Sequence, residues 1–444
     1  MKIIIIGGIA AGMSAAAKFR RMDKEASITI YEKENYISFG ACGLPYYVGD
    51  YFNDHERMLV RTPEQAISSG INVQVKHEVI QVDTKEKRVL VKKLEDESLH
   101  WDSYDQLMIS TGARAVKPPI KNLDIENVYF LRNLEDGQRV REKMLDSSIK
   151  TVGIIGAGFI GLEVVEAAKK LGKEIHVFQL EDRILKDVFD EEITKVLEEE
   201  LVEKGVHLHL NAKVTALSGK EYVEEIITEE ESVKIDLAIL ATGVKPNTEF
   251  LKDTDINMIS NGAIVIDEEG RTSIESIYAA GDCATVPHRL KDKPAYLPLA
   301  TNANKLGRIV GENLAGKHVK FPGTLGSSCI KVLEMEAGRT GLTEKEAKAL
   351  DIEVGTVFIT DKNHTSYYPG QEALGIKLIY DANTKVLLGG QVVGKQDAVQ
   401  RTNVLATAIY GKMTTKELGM LDLCYAPPFA RTWDALNNAG NVAK

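Results

Sequence analysis

The sequence predicts an α/β chain in which two Rossmann-like βαβ units are followed by a smaller α+β domain. Three observations lead there. A strand, a glycine turn and a helix open the chain, the same grammar recurs from residue 151, and from about 323 the pattern changes to alternating short strands.

Taken in order, "KIIII" (2–6) reads as a short strand buried on both faces. The glycine turn after it opens "MSAAAKFRRMDK", whose alanines and methionine suit a helix packed closely on a sheet. "SITIYEK" is the second strand and carries Glu32 at its end, 20 residues beyond Gly12. The β-rich segments "INVQVKHEVIQVD" and "KRVLVKKLE" lead to "YDQLMISTGARA". The second unit repeats the plan as strand "TVGIIG", turn "GAGFIG", helix "LEVVEAAKKLG" and strand "IHVFQ", and "IDLAILATGVKPNTEF" repeats the earlier ending of strand plus Thr-Gly turn. "ESIYAAGDCATV" is a strand running into a Gly-Asp turn, and "ATNANKLGRIVGENLAG" a helix. Beyond 323, "IKVLEME", "VGTVFIT", "ALGIKLIYD" and "VLLGGQVVG" read as strands, followed by helices and "CYAPPF". The expected domains are 1–112 with 243–322, then 113–242, then 323–444, and no low-complexity linker separates them.

The chain's 444 residues, with 44% hydrophobic content, exceed one ordinary core and fit two or three domains. A formal charge of −10, without an extended basic cluster, argues against nucleic acid and anionic membrane surfaces as partners. No apolar run reaches the roughly 18 residues of a membrane span. The opening "MKIIIIGGIAAGMSAAAKF" has the lysine and apolar stretch of a secretory signal, but Gly7, Gly8 and Gly12 interrupt it and a second strand follows. Cys42, Cys283, Cys329 and Cys424 are few, widely spaced and free of any CxxC pair, so the expectation is a reducing cytoplasm and no metal.

Chemistry enters with the glycine turns. In "GAGFIG", Gly156 permits the tight turn, Gly158 lets backbone approach a pyrophosphate, and Gly161 lets the helix pack near the strand with its amides facing the phosphates. "GGIAAG" departs from this pattern because Ile9 stands at the middle glycine position, while Glu32 supports a nucleotide there by accepting the hydroxyl hydrogens of an adenosine ribose. In the second unit the corresponding residue is Gln179, followed by Glu181 and Asp182, with Arg183 and Lys186 close by; this leans to NADH and leaves NADPH open.

Cys42 lies ten residues beyond Glu32 in "SFGACGLPYY". A packed thiol is the common fate of such a residue. Here the small neighbours leave room for a ligand, a helix N-terminus following the cysteine would favour the thiolate, and Tyr47 stands where a CxxxxC pair would close. Cys283, Cys329 and Cys424 read as structural.

Two βαβ units, "STGA", "ATGVKPN", "YAAGDCA" and a separate C-terminal domain together resemble the FAD-dependent pyridine nucleotide-disulfide oxidoreductases over essentially the whole chain. The single cysteine of "SFGACGLPYY" resembles the branch holding coenzyme A-disulfide reductases, NADH oxidases and NADH peroxidases. The resemblance implies FAD on the first unit, with Gly7, Gly8 and Gly12 at the pyrophosphate, Glu32 and Lys33 at the adenosine side, and Thr111, Gly112 and Asp282 along the flavin. It implies NAD(P)H on the second, with Gly156, Gly158, Gly161 and Gln179 at the nucleotide, Ile160 and Glu163 near the nicotinamide, and Gly243 closing over it.

Oxidases and peroxidases of the branch usually carry a histidine in the first glycine loop, where this chain has Ala10. "SYYPG" and "CYAPPF" supply Tyr367 and Tyr425, which in coenzyme A-disulfide reductases reach the cysteine of the other subunit of a homodimer. On their own, both tyrosines would read as half-buried aromatics. No rhodanese-like segment is appended, which reads against the fused persulfide reductases. Lys18, Arg20 and Arg21, with Ser38 and Asn304, are candidates for the coenzyme A substrate, although a solvated helix face explains the three cations equally well. The implied reaction is NAD(P)H-driven reduction of coenzyme A disulfide through a Cys42–S–S–CoA intermediate. The rivals are an NADH oxidase cycling Cys42 through a sulfenic acid and a flavin-bound redox sensor without turnover.

Overall fold

A computed structural model describes residues 1–443. The chain folds as two compact units: residues 1–43, 54–116 and 244–324, and residues 44–53, 117–243 and 325–444.

The first unit is built on a five-stranded parallel sheet in the order Ile277–Ala279, Gln106–Ile109, Lys2–Ile6, Ser27–Tyr31, Asn72–Gln74. Ile3, Ile4 and Ile5 are fully buried, as a central parallel strand covered on both faces requires, each contributing roughly 1.5–3 kcal/mol of burial. The helix Ala10–Met22 starts three residues before the sequence reading because the glycine turn leads straight into it. It buries Ala11, Met13, Ala15, Ala16 and Phe19. Its small residues serve a second contact: a β-carbon on Gly307 or Gly311 of the helix Ala300–Leu314 would strike the Ala11 or Ala15 carbonyl. The helix ends where Arg20 turns back to donate to the Asp23 and Ala26 carbonyls, at 3.1 and 2.7 Å.

The second unit repeats the plan with a parallel sheet in the order Val128–Phe130, Leu237–Leu240, Thr151–Ile155, Glu174–Phe178, His207–His209. Each unit also carries a three-stranded antiparallel insert, at 77–103 and 214–234. Residues 44–53, expected in the first domain, group with the second unit. Their anchors are specific: Arg141 lies over the Tyr47 ring at 4.8 Å and donates to its carbonyl, and Tyr51 donates to Glu166 at 2.9 Å.

The C-terminal part of this unit is an antiparallel sheet in the order Ser328–Val332, Met335–Gly341, Leu387–Gly394, Ala373–Asp381, Val354–Lys362. "IKVLEME", read as one strand, is a hairpin whose turn places Leu333 at φ 55°. No helix among the described residues is long and apolar enough to cross a membrane.

Lys377, 3% exposed on the strand Ala373–Asp381, ties this sheet to the helix Glu191–Glu203 by bonding Glu192 at 2.9 Å and Glu344 at 2.8 Å, with Asp190 at 3.6 Å. Removing the cation leaves three carboxylates facing one another. Lys377→Met should therefore cost about 2–3 kcal/mol, discounted for the partial exposure of Glu192 and Glu344, and lower the thermal midpoint. An unchanged midpoint would show that the cluster contributes nothing to the fold.

Candidate active site

The two glycine turns are superimposable in their bonding. Gly7 donates to the Tyr31 carbonyl and Gly156 to that of Phe178, both at 2.8 Å. Gly8 donates to Glu32 Oε2 at 2.7 Å, and Ala157 to Gln179 Oε1 at 2.9 Å. A β-carbon on Gly12 would land on the Gly7 carbonyl oxygen, and one on Gly161 on that of Gly156. Gly7 and Gly156 hold φ of 96° and 108°, which excludes other residues without strain.

The helices that follow, Ala10–Met22 and Phe159–Lys170, have no side-chain cap and no acid in their first turns. Their leading amides are thus left for an anion. Gly112, Gly158 and Gly243 face open space. This donor set and shape fit the pyrophosphate of a dinucleotide in each unit.

In the first unit a cleft of about 530 Å³ is lined by Gly7, Glu32, Lys33, Thr111 and Asn247, among others. Glu32 is buried and also accepts from the Glu34 amide at 3.0 Å. Burial raises its pKa, opposed by those amide bonds. Thr111 donates to the Asn247 carbonyl at 2.7 Å and Asn247 returns a bond to the Thr111 carbonyl at 3.1 Å, fixing the turn that contains Gly112. Asp282 follows Gly281 at φ 89°, and Tyr296 donates to its carbonyl at 3.0 Å.

The Cys42 loop is fastened to the first glycine turn. Ser38, at φ 52°, donates its N–H to the Gly8 carbonyl at 2.9 Å. Gly40 donates to the Met58 carbonyl at 2.8 Å, and Cys42 sits exposed on the short 3₁₀ turn Ala41–Gly43. The helix after it, Leu44–Val48, has only five residues. Tyr47, at the position of a second cysteine, is buried.

Among the substrate candidates, Lys18 is ion-paired with Glu312 at 3.0 Å, and Asn304 accepts from Ser14 at 2.9 Å. Both links join the helices Ala10–Met22 and Ala300–Leu314. Arg21, one turn beyond Lys18, is exposed.

In the second unit Ile160 in the first turn and Glu163 in the second turn of the helix Phe159–Lys170 are half-buried. Burial, reinforced by the Glu166 carboxylate, pushes the Glu163 pKa up to about 7. Lys186 is paired with Glu181 at 2.8 Å and Asp182 at 3.1 Å, and Arg183 donates to the Phe189 and Lys186 carbonyls. Both cations that follow Gln179 are thus already engaged.

Tyr367 and Tyr425, 58 residues apart, meet hydroxyl to hydroxyl at 3.2 Å. Both are exposed, as are Phe429 and Trp433, so the half-buried reading does not hold for the single chain. Of the other cysteines, Cys283 is fully buried with its pKa pushed up to about 11 by that burial. Cys329 and Cys424 are exposed. Partial burial of its sulfur and the Glu163 carboxylate raise the Cys329 pKa, keeping it a thiol. The sequence reading also passed over Asn247, although it stands within the quoted "ATGVKPN", and over Ser110, which donates to the Ile6 and Gly7 carbonyls.

Two nucleotide turns, a cysteine loop tethered to the first and a pair of tyrosines on C-terminal loops are the features of a dinucleotide-dependent oxidoreductase. The chain belongs to the pyridine nucleotide-disulphide oxidoreductase family: that family's model matches residues 1–307 and the model of its dimerisation domain residues 327–436. Its members use FAD and NAD(P)H. The chain is 38% identical over 443 residues to an NAD(P)H sulfur oxidoreductase (CoA-dependent) of Pyrococcus abyssi, covering 100% of this chain and 98% of the relative. It is 32% identical to a coenzyme A disulfide reductase of Staphylococcus aureus, covering 100% of both. Among solved structures, the water-forming NADH oxidase of Lactobacillus brevis bound to NADH superposes with a TM-score of 0.95 at 32% identity, over 99% of this chain and 97% of that one.

Glu163 generates a pH signature. Its folded pKa of about 7 lies above the ordinary 4.5, so its contribution to stability is complete below pH 4.5 and is lost as pH rises towards 7. Glu163→Gln should remove roughly 2 kcal/mol of that decline, seen as a flatter thermal midpoint between pH 4.5 and 7. Parallel profiles for the two proteins would rule out the raised pKa.

Proposed function

We propose that this chain reduces coenzyme A disulfide, or a mixed disulfide containing coenzyme A, with NAD(P)H, working as a homodimer. The observation that carries the reading is the exposed Cys42 sulfur on a loop tied by Ser38 to the first glycine turn, with buried Tyr47 where a second cysteine would close a dithiol. A lone sulfur completes a disulfide cycle when the substrate supplies the other half.

FAD, when bound, supplies the two-electron chemistry that links nicotinamide and sulfur. Gly7, Gly8 and Gly12 would hold its pyrophosphate, Glu32 and Lys33 its adenosine side, and Thr111, Gly112 and Asp282 the remainder. Gly156, Gly158, Gly161 and Gln179 would hold the nicotinamide nucleotide, with Ile160, Glu163 and Gly243 towards its reactive end. Because Glu181 and Asp182 neutralise Lys186, an added 2′-phosphate finds no available cation there, and NADH is favoured.

The Cys42 thiolate attacks one sulfur of the substrate disulfide, forming Cys42–S–S–CoA and releasing one coenzyme A thiolate. Two electrons from NAD(P)H then cleave that mixed disulfide, returning the Cys42 thiolate and a second coenzyme A. Tyr367 and Tyr425 of the partner subunit protonate the leaving thiolates; their exposure in the single chain and the match to a dimerisation domain support this placement. Lys18, Arg21, Ser38 and Asn304 are the groups proposed to meet the coenzyme A moiety.

Two further acceptors follow from the relatives. Oxygen is one, given the Lactobacillus brevis oxidase, and Ala10 in the first glycine loop weighs against it. Polysulfide or persulfide sulfur is the other, given the NAD(P)H coenzyme A polysulfide/persulfide reductase of Pyrococcus horikoshii, 38% identical over 444 residues.

NADH consumption measured with coenzyme A disulfide, with polysulfide and with oxygen alone separates these readings. Disulfide-dependent turnover is expected, together with a coenzyme A adduct on Cys42 by mass. Cys42→Ser should lose at least about 10³-fold in turnover while NADH still bleaches the flavin, and Tyr425→Phe roughly 10²-fold. Oxygen-limited turnover indifferent to disulfide would sink the reductase reading.

A further inference from the structure

The sheet of the second unit carries a cluster that the reductase chemistry does not use. Glu174 and His176 stand on the strand Glu174–Phe178, and His207 and His209 on the edge strand His207–His209 beside it, with His176 paired to His207 and Phe178 to His209. The alternation of a strand brings all of these side chains to one face of the sheet. The His176 and His207 rings stack at 4.4 Å, and the His209 ring stacks on Phe178 at 4.4 Å.

The ring nitrogens converge on one carboxylate oxygen. Glu174 Oε1 lies 3.6 Å from His176 Nε2 and 3.5 Å from His207 Nε2. Around a tetrahedral zinc-class ion, with bonds of about 2.0–2.2 Å, neighbouring ligand atoms stand about 3.3–3.6 Å apart. The two separations from the carboxylate oxygen match, and the three ligand atoms lie within 4.8 Å of one another.

The hydrogen bonds behind the cluster fix the protonation that a metal ligand needs. Glu231 Oε1 lies 2.8 Å from His209 Nδ1, and as a carboxylate it accepts, so that nitrogen carries the proton. His209 Nε2 is then the acceptor of the 3.0 Å bond from His176 Nδ1–H. The lone pair of His176 Nε2 is left aimed towards Glu174. A carboxylate, an imidazole and a second imidazole backed by a histidine–carboxylate relay is the arrangement that outer-shell groups give to metal-bound histidine.

We propose that Glu174, His176 and His207 form a binding site for a divalent transition ion of the zinc class, with His209 and Glu231 orienting His176. Two nitrogens and one oxygen bind the ion, and water takes the fourth position because Glu174 and His207 are exposed. The ion would pin the edge strand to the sheet. Gln179, which braces the second glycine turn, follows directly and donates its N–H to the His209 carbonyl at 2.8 Å.

The test uses the flavin-loaded protein, stripped with a chelator and titrated with Zn²⁺ against a chromophoric competitor while thermal midpoints are recorded. One equivalent per chain with a raised midpoint is expected. His207→Gln and Glu174→Gln, both at exposed positions, should weaken that equivalent at least about tenfold and abolish the midpoint rise, with flavin content unchanged. His209→Gln should weaken it less. Binding by those variants equal to the unaltered protein would place the ion on the exposed thiols Cys42, Cys329 or Cys424 and overturn the proposal, as would no uptake at all.

Discussion

The close approach of the third glycine of each turn to the carbonyl of the first governs how both units are built. At Gly12 against Gly7, and at Gly161 against Gly156, there is no space for a β-carbon. That contact brings the helix against the strand end, so its first amides emerge where the sheet stops. Everything placed at that end depends on it: the carboxylate or amide closing the second strand, the crossover turns with Gly112 and Gly243, and the Ser38 tether of the Cys42 loop.

The two units differ where their ligands should differ. Glu32 and Gln179 perform the same structural task, accepting a turn amide, yet one is an acceptor throughout and the other also offers an N–H. Ile9 caps the first helix where Gly158 caps the second, so backbone access to a phosphate is wider in the second turn. Ser110 reinforces the first turn with two bonds, while Ala241 in the second makes only the backbone one.

Much of this was legible because it is local. The strands, the glycine spacing and the "YYPG" and "YAPP" tyrosines are short-range patterns, and the resemblance they carry points to the family to which the chain belongs. What was not legible is set by tertiary pairing. The departure of residues 44–53 to the second unit depends on Arg141 and Glu166, far away in sequence. The hairpin at Leu333 needs a left-handed residue that nothing in "IKVLEME" announces. The histidine and glutamate cluster spans two strands separated by a helix, so a search for closely spaced ligands passes over it. The Tyr367–Tyr425 contact required the fold to bring together two segments each quoted separately.

The packed ring of Tyr47 has a thermodynamic corollary. A chain with two cysteines would seal its oxidised form internally and release two thiols per disulfide consumed, making its oxidised fraction sensitive to dilution. With an aromatic side chain buried at that position, the proposed oxidation of Cys42 by coenzyme A disulfide would exchange one thiol for one disulfide. Molecularity then cancels, and the resting state of the sulfur follows the ratio of disulfide to thiol in the surrounding pool, independent of how large that pool is.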